Sequence, residues 1–244
     1  MFECYLESDK RETRMYLVLF DIDGTLLHSA GCGRAATLRA MQDIFGTTGY
    51  MDGVRFDGRT DWGVLAAALE PEGVSHAQIA AQMDTYNHTV THHLQAIIGD
   101  YAVRPCTGAP QVVNALKARP DVLLGLVTGN VPGLVPVKLR AAGYDPADFR
   151  TGAYGSEAAE RSTLPPLALA RAEKLAGHRF APHEMVIIGD TPGDVACARS
   201  IQARTIAVAT GFFDLDALRT TGADHVFATL DDLDAVLAAI LNGS

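Results

Sequence analysis

One apolar run near the start of the chain constrains the fold more than any other feature. Tyr16–Phe20 is a stretch of five apolar residues, and two acids, Asp21 and Asp23, follow it directly. A strand without polar alternation is buried on both faces, as in the middle of a parallel sheet. Ligands of open α/β sheets bind outside the carboxyl ends of such strands. Because isolated buried carboxylates are costly, we expect a divalent cation or a reacting electrophile beside these two acids.

Strand-like and helix-like segments alternate from residue 105 onward. Further strands are predicted at Val122–Val127, 149–154, 185–188, 205–208 and His225–Phe227, and helices at 108–118, 132–142, 163–176 and 231–241. This alternation favours an α/β fold in which a Rossmann-like, doubly wound parallel sheet is built with right-handed crossovers.

The part of the chain between the first and second strands has helical patterning only. Helices are predicted at 34–45, from a Thr60 cap to residue 69, and at 75–98. We therefore expect a disordered extension at residues 1–14, a Rossmann-like core at 15–29 and 104–244, and an inserted small α-helical cap at 30–103.

Composition and charge exclude several classes of function. The formal net charge of −9 argues against a nucleic-acid partner, because such proteins usually carry basic stripes. No apolar run approaches the ~20 residues that a membrane helix needs. The four cysteines, Cys4, Cys32, Cys106 and Cys197, lack metal-ligand spacing. We expect a cytoplasmic protein with reduced thiols and no membrane partner.

Polar side chains cluster at the predicted ends of three strands. These residues are Asp21 and Asp23 after the first strand, Thr128, Gly129 and Asn130 after the second, and Asp190 and Asp194 after the strand at 185–188. In a parallel sheet these ends share one edge, where four carboxylates could not lie together without a cation. Oxygen ligands without nearby His or Cys suit Mg²⁺.

The ordered motifs DIDGT, VTGN and GDTPGD resemble the signature of the haloacid dehalogenase superfamily. The helical insert after the first motif is similar to the C1-capped, phosphoglycolate phosphatase-like branch. The resemblance runs from residue 16 to the C-terminus and implies a Mg²⁺-dependent phosphatase that acts on a small phosphorylated metabolite through an aspartyl-phosphate. It makes Asp21 the nucleophile and Asp23 the general acid/base.

The resemblance also implies the other roles at the site. Thr128 would hydrogen-bond the phosphoryl oxygens. The Asp21 side chain, the Asp23 carbonyl, Asp190 and Asp194 would hold the metal. Gly129 and Asn130 would contact the substrate, and from the insert Arg59 and Arg34 are candidates for the same role.

The third motif departs from the family pattern. The family usually has a Lys shortly before the helix that precedes the last acidic strand, whereas residues 160–166 read ERSTLPP. Arg161 is the candidate cation, because Arg stays charged and can bind phosphate bidentately. Lys138 is the alternative.

Three other functions compete with the phosphatase. A phosphomutase of the β-phosphoglucomutase type shares all of the acids, and the residues leave this alternative open. A 2-haloacid dehalogenase is less favoured, because its members generally lack an acid two residues after the nucleophile and need no metal. A non-enzymatic relative is disfavoured because every acid is present. The substrate and the oligomeric state stay open.

Overall fold

A six-stranded parallel sheet forms the centre of the protein. The computed structural model describes residues 14–242. Its strands are β1 (Tyr16–Phe20), β2 (Leu27–His28), β3 (Arg104–Pro105), β4 (Val122–Val127), β5 (Thr151–Ala153), β6 (Met185–Gly189), β7 (Arg204–Val208) and β8 (His225–Phe227). The sheet order is β5-β4-β1-β6-β7-β8, and every pairing within it is parallel.

Strand β1 lies between β4 and β6, and all five of its residues are buried. At its carboxyl end Phe20 pairs in register with Leu126 on one side and Ile188 on the other. The three strands therefore end at the same edge. This arrangement confirms the predicted Rossmann-like α/β core.

Helices cover both faces of the sheet. The helices are α1 (Cys32–Phe45), α2 (Asp61–Leu69), α3 (His76–Ala81), α4 (Met83–Ile97), α5 (Ala109–Lys117), α6 (Leu134–Ala141), α7 (Leu164–Ala176), α8 (Pro192–Ala198), α9 (Leu215–Arg219) and α10 (Leu233–Leu241). On one face Val18 and Phe20 join the apolar cluster of α5, α6 and α10, and on the other Leu17 and Leu19 join that of α7 and α8. This alternation is the period of two expected of a strand.

Helices α1–α4 form a separate layer, which we call the helical insert (residues 32–97). They pack around an apolar cluster in which Met41, Leu65, Tyr86 and Leu94 are fully buried, and Val131 and Leu134 of the core complete it. The Tyr86 hydroxyl lies 2.9 Å from the hydroxyl of Thr37, so the one polar group of that ring is paired. The insert is joined to the core through a two-stranded antiparallel ribbon, β2 with β3.

The structure differs from the sequence predictions in three elements. The helix predicted at 75–98 is divided into α3 and α4 at Gln82, whose φ of −100° and ψ of −1° depart from ideal helical values. The break lets α3 pack on α2, where Trp62 stacks on His76, while α4 packs along α1. Neither the β2–β3 ribbon nor α9 was predicted, since both are too short to show periodicity.

Other sequence expectations concern the ends of the chain and its surroundings. The extension predicted at 1–14 lies outside the described residues except for Arg14. None of the helices within residues 14–242 is long and apolar enough to cross a bilayer. Cys32, Cys106 and Cys197 are buried free thiols.

Candidate active site

Three buried carboxylates meet where β1 and β6 end. Asp21, Asp190 and Asp194 each offer an oxygen, and these oxygens all lie within 4.8 Å of one another. The Asp21 amide donates to the carbonyl of Ile188 at 2.9 Å, which continues the pairing of β1 with β6 by one residue. The parallel register thus brings three of the four predicted carboxylates to one point, and Asp23 lies outside this group.

Local backbone features hold the two later acids in place. Thr191 is the N-cap of α8, and it forms a capping box with Asp194, which accepts from the Thr191 amide at 3.0 Å. Asp190 accepts from the Thr25 hydroxyl at 3.2 Å. A Cβ on Gly211 would lie 1.6 Å from an Asp190 carboxylate oxygen, so only glycine fits beside this acid.

Arg161 is the cation next to Asp21. Its Nη2 lies 3.0 Å from Asp21 Oδ1, forms an ion pair with Asp194, and donates to the carbonyl of Val127 at 3.3 Å. Arg161 lies in a single 3₁₀ turn, Arg161–Thr163, directly before α7. Arg161 therefore links Asp21, at the end of β1, to Asp194 on α8.

Lys138 contacts the other acid of the first motif. Lys138 Nζ lies 2.6 Å from Asp23 Oδ2 and 2.6 Å from Asn130 Oδ1, and the Asn130 amide donates to the same Asp23 oxygen at 2.8 Å. The two cations are thus divided between the acids, with Arg161 at Asp21 and Lys138 at Asp23. Of these two cations, Arg161 is the one that pairs with the acid directly after β1.

Burial and neighbouring charges shift the pKa values of these acids in different directions. Burial raises the pKa of Asp21 to about 6, against the opposing effect of the Arg161 guanidinium. Burial and the nearby Asp194 and Asp21 raise the pKa of Asp190 well above its usual range. Burial alone would raise the pKa of Asp23 too, but the Lys138 ammonium and the Asn130 amide hold it below its ordinary value.

The donor set fits a hard divalent cation. Three carboxylates share a space that has Arg161 as its nearby cation, so a second positive charge would relieve their mutual repulsion. All three offer oxygen, which suits Mg²⁺.

A cavity of about 340 Å³ opens over the acids and is walled by both layers. The core contributes Asp21, Asp23, Asn130, Lys138, Arg161 and Asp190, and the insert contributes Arg34, Arg55, Phe56, Arg59 and Asp61. The cavity thus places cationic side chains of the insert opposite the carboxylates of the core.

The insert is closed onto the core along the start of α2. The Asp61 amide donates to the Gly129 carbonyl at 2.7 Å, and the Asp61 carboxylate accepts from the Val131 amide at 2.8 Å. Thr60 caps α2 and also donates to the Ala159 carbonyl at 2.8 Å. Burial raises the pKa of Asp61 to about 6.

The predicted substrate-contact residues divide into two groups. Gly129, Asn130, Arg34 and Arg59 line the cavity, whereas Thr128 is fully buried and accepts from the Asn130 side chain at 2.9 Å. Arg34 donates to the Met51 carbonyl at 3.1 Å. The Arg59 amide donates to the Phe56 carbonyl at 3.0 Å, and the exposed Arg59 side chain makes no hydrogen bond or ion pair within residues 14–242.

The sequence prediction missed two residues of the cavity wall. Arg55 was not among the candidates, and its guanidinium lies 4.0 Å from the ring centroid of Phe212, which belongs to the core domain. The role of Asp61 was not predicted either, because its partner Val131 is distant in sequence.

Comparisons with known proteins give a consistent result. The family model described as haloacid dehalogenase-like hydrolase matches residues 15–202. A hydrolase from Pseudomonas syringae has a similar structure, with 20% identity, a TM-score of 0.66, and coverage of 93% of this chain and 99% of that one. A predicted phosphoglycolate phosphatase from Haemophilus somnus shares 18% identity at a TM-score of 0.62, covering 91% and 98%.

A third solved structure was determined with phosphate. CbbY from Rhodobacter sphaeroides, in complex with phosphate, is 19% identical at a TM-score of 0.62, with coverage of 90% of this chain and 96% of that one. No curated protein sequence matches this chain. At these identities the structural likeness concerns the fold, and the family model, which spans most of the chain, concerns the sequence itself. This chain belongs to the haloacid dehalogenase-like hydrolases.

Proposed function

We propose that this hydrolase is a Mg²⁺-dependent phosphatase that acts on a small phosphorylated metabolite through an aspartyl-phosphate. The observation that carries the proposal is the division of charge at the site. Asp21 lies 3.0 Å from the Arg161 guanidinium within a carboxylate cluster, and Asp23 is held separately by Lys138. Two acids two residues apart thus have different partners, as two different roles require.

The proposed reaction has two steps. Against the effect of burial, the Lys138 ammonium lowers the pKa of Asp23, so the acid is ionised in the resting site and first takes up a proton from solvent. The Asp21 carboxylate then attacks phosphorus, the bond from phosphorus to the leaving oxygen breaks, and Asp23 gives that proton to the leaving oxygen. Water then attacks the aspartyl-phosphate, Asp23 takes a proton from it, and the bond to Asp21 breaks to release inorganic phosphate. Arg161 neutralises charge on the phosphoryl oxygens throughout.

The metal would be held by Asp21, the Asp23 carbonyl, Asp190 and Asp194. When bound, it supplies positive charge to the phosphoryl oxygens, which this chemistry needs. Asp194 accepts from the Thr191 amide and pairs with Arg161, so it also holds the Arg161 guanidinium beside Asp21.

We further propose that the helical insert, as part of a cap at residues 30–103, excludes water and selects the alcohol portion of the substrate. The first residues of α2, within the insert, are hydrogen-bonded to the core. The cavity between the two layers, about 340 Å³ in volume, suits a small molecule. Arg59 and Arg34 at the wall would contact the substrate, with Gly129 and Asn130 facing them from the core.

Hydrolysis of p-nitrophenyl phosphate with and without Mg²⁺ tests the proposal. Turnover should require the metal, disappear in EDTA and disappear in Asp21→Asn. A panel of phosphorylated metabolites, read by release of inorganic phosphate, would then find the substrate. Rearranged phosphate esters without phosphate release would establish the mutase instead. Metal-independent release of halide from a 2-haloacid would establish the dehalogenase.

A further inference from the structure

A buried lysine beside Asp23 is the feature that the proposed reaction leaves unused. Lys138 is 3% exposed and lies on α6 among the buried residues Leu134, Val135 and Leu139. Taking an ammonium out of water is costly unless it is paired and hydrogen-bonded. The burial of Lys138 on the apolar face of α6 therefore requires polar partners for its Nζ.

The contacts of Lys138 form a closed ring with Asp23 and Asn130. Lys138 Nζ lies 2.6 Å from Asp23 Oδ2 and 2.6 Å from Asn130 Oδ1, and Asn130 Nδ2 lies 2.8 Å from the same Asp23 oxygen. The Thr128 hydroxyl completes the support by accepting from Asn130 Nδ2 at 2.9 Å. All three side chains are thereby oriented by one another.

Asp23 needs such support because its own geometry does not fix it. The terminal torsion of an aspartate is broad, so the carboxylate has no strong intrinsic orientation. Its side chain is 35% exposed to the cavity, whereas that of Lys138 is 4% exposed. Two donors converge on Asp23 Oδ2, so they restrict rotation of the carboxylate at the cavity wall and leave Oδ1 without a hydrogen bond.

The insert also shapes the space around the ammonium. A Cβ on Gly33, in the first turn of α1, would lie 3.1 Å from Lys138 Nζ. That distance is tighter than normal packing, so a larger residue would push the ammonium away from Asp23. The ring thus consists of Asp23 after β1, Asn130 after β4 and Lys138 on α6. The first turn of α1 packs against the ammonium at Gly33.

We propose that Lys138, together with Asn130, is a positioning residue that aims the Asp23 carboxylate at the leaving oxygen and at the attacking water. This inference rests on the proposed phosphatase function and gives Lys138 a role different from that of Arg161. Lys138 acts through Asp23 and does not contact the phosphoryl group.

The test compares Lys138→Met, Lys138→Arg, Asp23→Asn and the double variant Lys138→Met/Asp23→Asn. Steady-state rates are measured with Mg²⁺ on p-nitrophenyl phosphate and on glycerol 2-phosphate, whose alkoxide is a much poorer leaving group. Lys174→Met, an exposed change on α7, is the matched control. Mg²⁺ affinity is measured by calorimetry on each variant and should be unchanged in Lys138→Met.

For Lys138→Met we expect kcat on glycerol 2-phosphate to fall by ~30-fold or more, within the range that positioned acid/base groups contribute. The loss on p-nitrophenyl phosphate should be smaller, KM should change little, and Lys138→Arg should recover part of the rate. In the Asp23→Asn background Lys138→Met should have almost no further effect, since its target is gone.

A second variant reaches the same ring without removing the lysine. Gly33→Ala favours the helix yet crowds the ammonium, so it should lower kcat in the same substrate-dependent way, whereas Gly99→Ala, where a Cβ meets open space, should not.

Losses that add in the double variant would overturn the inference, as would a raised KM at unchanged kcat, which would make Lys138 a substrate contact. A Lys138→Met enzyme as fast as the parent on both esters would also overturn it. If the parent enzyme hydrolyses neither ester nor any metabolite of the panel, the proposed function fails and the inference falls with it.

Discussion

At the scale of single residues, the site is organised by which cation each carboxylate has. Asp21 and Asp194 share Arg161, and Asp23 has Lys138. Asp190 has the Thr25 hydroxyl as a hydrogen-bond partner, and burial with two like charges raises its pKa. Removing Arg161 would leave two buried carboxylates without their cation, which is costly in a low-dielectric site.

Arg161→Met should destabilise the protein in EDTA by about 3 kcal/mol, because it breaks a buried ion pair on both of its carboxylates. Urea unfolding measures this loss, and Mg²⁺ should recover more stability in the variant than in the parent. Arg171→Met removes an ion pair with Glu157 that is largely exposed on the Arg side, and it should cost less than about 1 kcal/mol. Equal losses in the two variants would contradict this account of Arg161.

Asp61→Asn should change the pH dependence of stability. Burial raises the folded-state pKa of Asp61 from 3.8 to about 6, so the folded protein favours the protonated acid. Asp61 therefore favours folding below pH 3.8, and this contribution is lost as pH rises to about 6.

The variant cannot ionise, so its stability relative to the parent should rise between these pH values. The gain should reach on the order of 3 kcal/mol at pH 7, since the shift from 3.8 to about 6 corresponds to 1.36 kcal/mol per pKa unit. Urea unfolding of both proteins from pH 4 to 8 measures the difference. A constant difference across that range would show that Asp61 does not titrate there.

At the scale of elements, glycines decide how closely the insert approaches the core. A Cβ on Gly129 would lie 1.9 Å from the Arg59 carbonyl, and one on Gly155 would lie 1.6 Å from the Gly129 carbonyl. At the start of α2 the insert and the core therefore contact each other through backbone atoms, so no side-chain movement could make room for a Cβ. This seam carries the hydrogen bonds of Asp61 and Trp62 to the core.

Gly129→Ala should push the insert away from the core and leave the sheet intact. We expect kcat/KM on the preferred substrate to fall roughly tenfold or more, since misplacing a binding wall by about 1 Å is costly. Steady-state kinetics and limited proteolysis measure the two consequences, with faster cleavage expected in the insert. Gly99→Ala is the control, and identical behaviour of the two variants would show that the seam does not control activity.

The elements differ in how far the sequence predicted them. Strands β1, β4 and β6 are continuous apolar runs, so the sequence predicted their positions and the edge at which they end. The break at Gln82 was not, because no Gly or Pro marks it and it depends on α3 and α4 having different neighbours. The ring around Lys138 and the contact of Asp61 with Val131 were also hidden, since each joins residues that only the fold brings together.

At the scale of the whole molecule, the proposed metal would link the stability of the fold to the carboxylate cluster. Asp21 follows β1, and Asp190 and Asp194 follow β6, so a cation bound to them joins the middle of the sheet to α8. Anything that binds only the folded state stabilises it in proportion to the logarithm of its concentration.

Mg²⁺ at a hundredfold excess over its Kd should stabilise the protein by about 2.7 kcal/mol. For a chain of this size that is a rise in Tm of roughly 5–10 °C, measurable by calorimetry against EDTA. Asp190→Asn should abolish most of the rise, whereas Asp43→Asn, an exposed change in the insert, should preserve it. A rise of the same size in both variants would place the metal elsewhere.

The antiparallel ribbon of β2 and β3 has a consequence for how such a protein can be rearranged. Leu27 pairs with Pro105 and His28 with Arg104, so the chain leaves the sheet layer and returns to it at neighbouring points. Everything between them is a loop whose ends already meet, and lengthening such a loop adds little closure entropy. The ribbon thus allows residues 29–103 to be exchanged as a unit. A tight turn or another small domain could replace these residues and leave the strands that precede the acids unchanged.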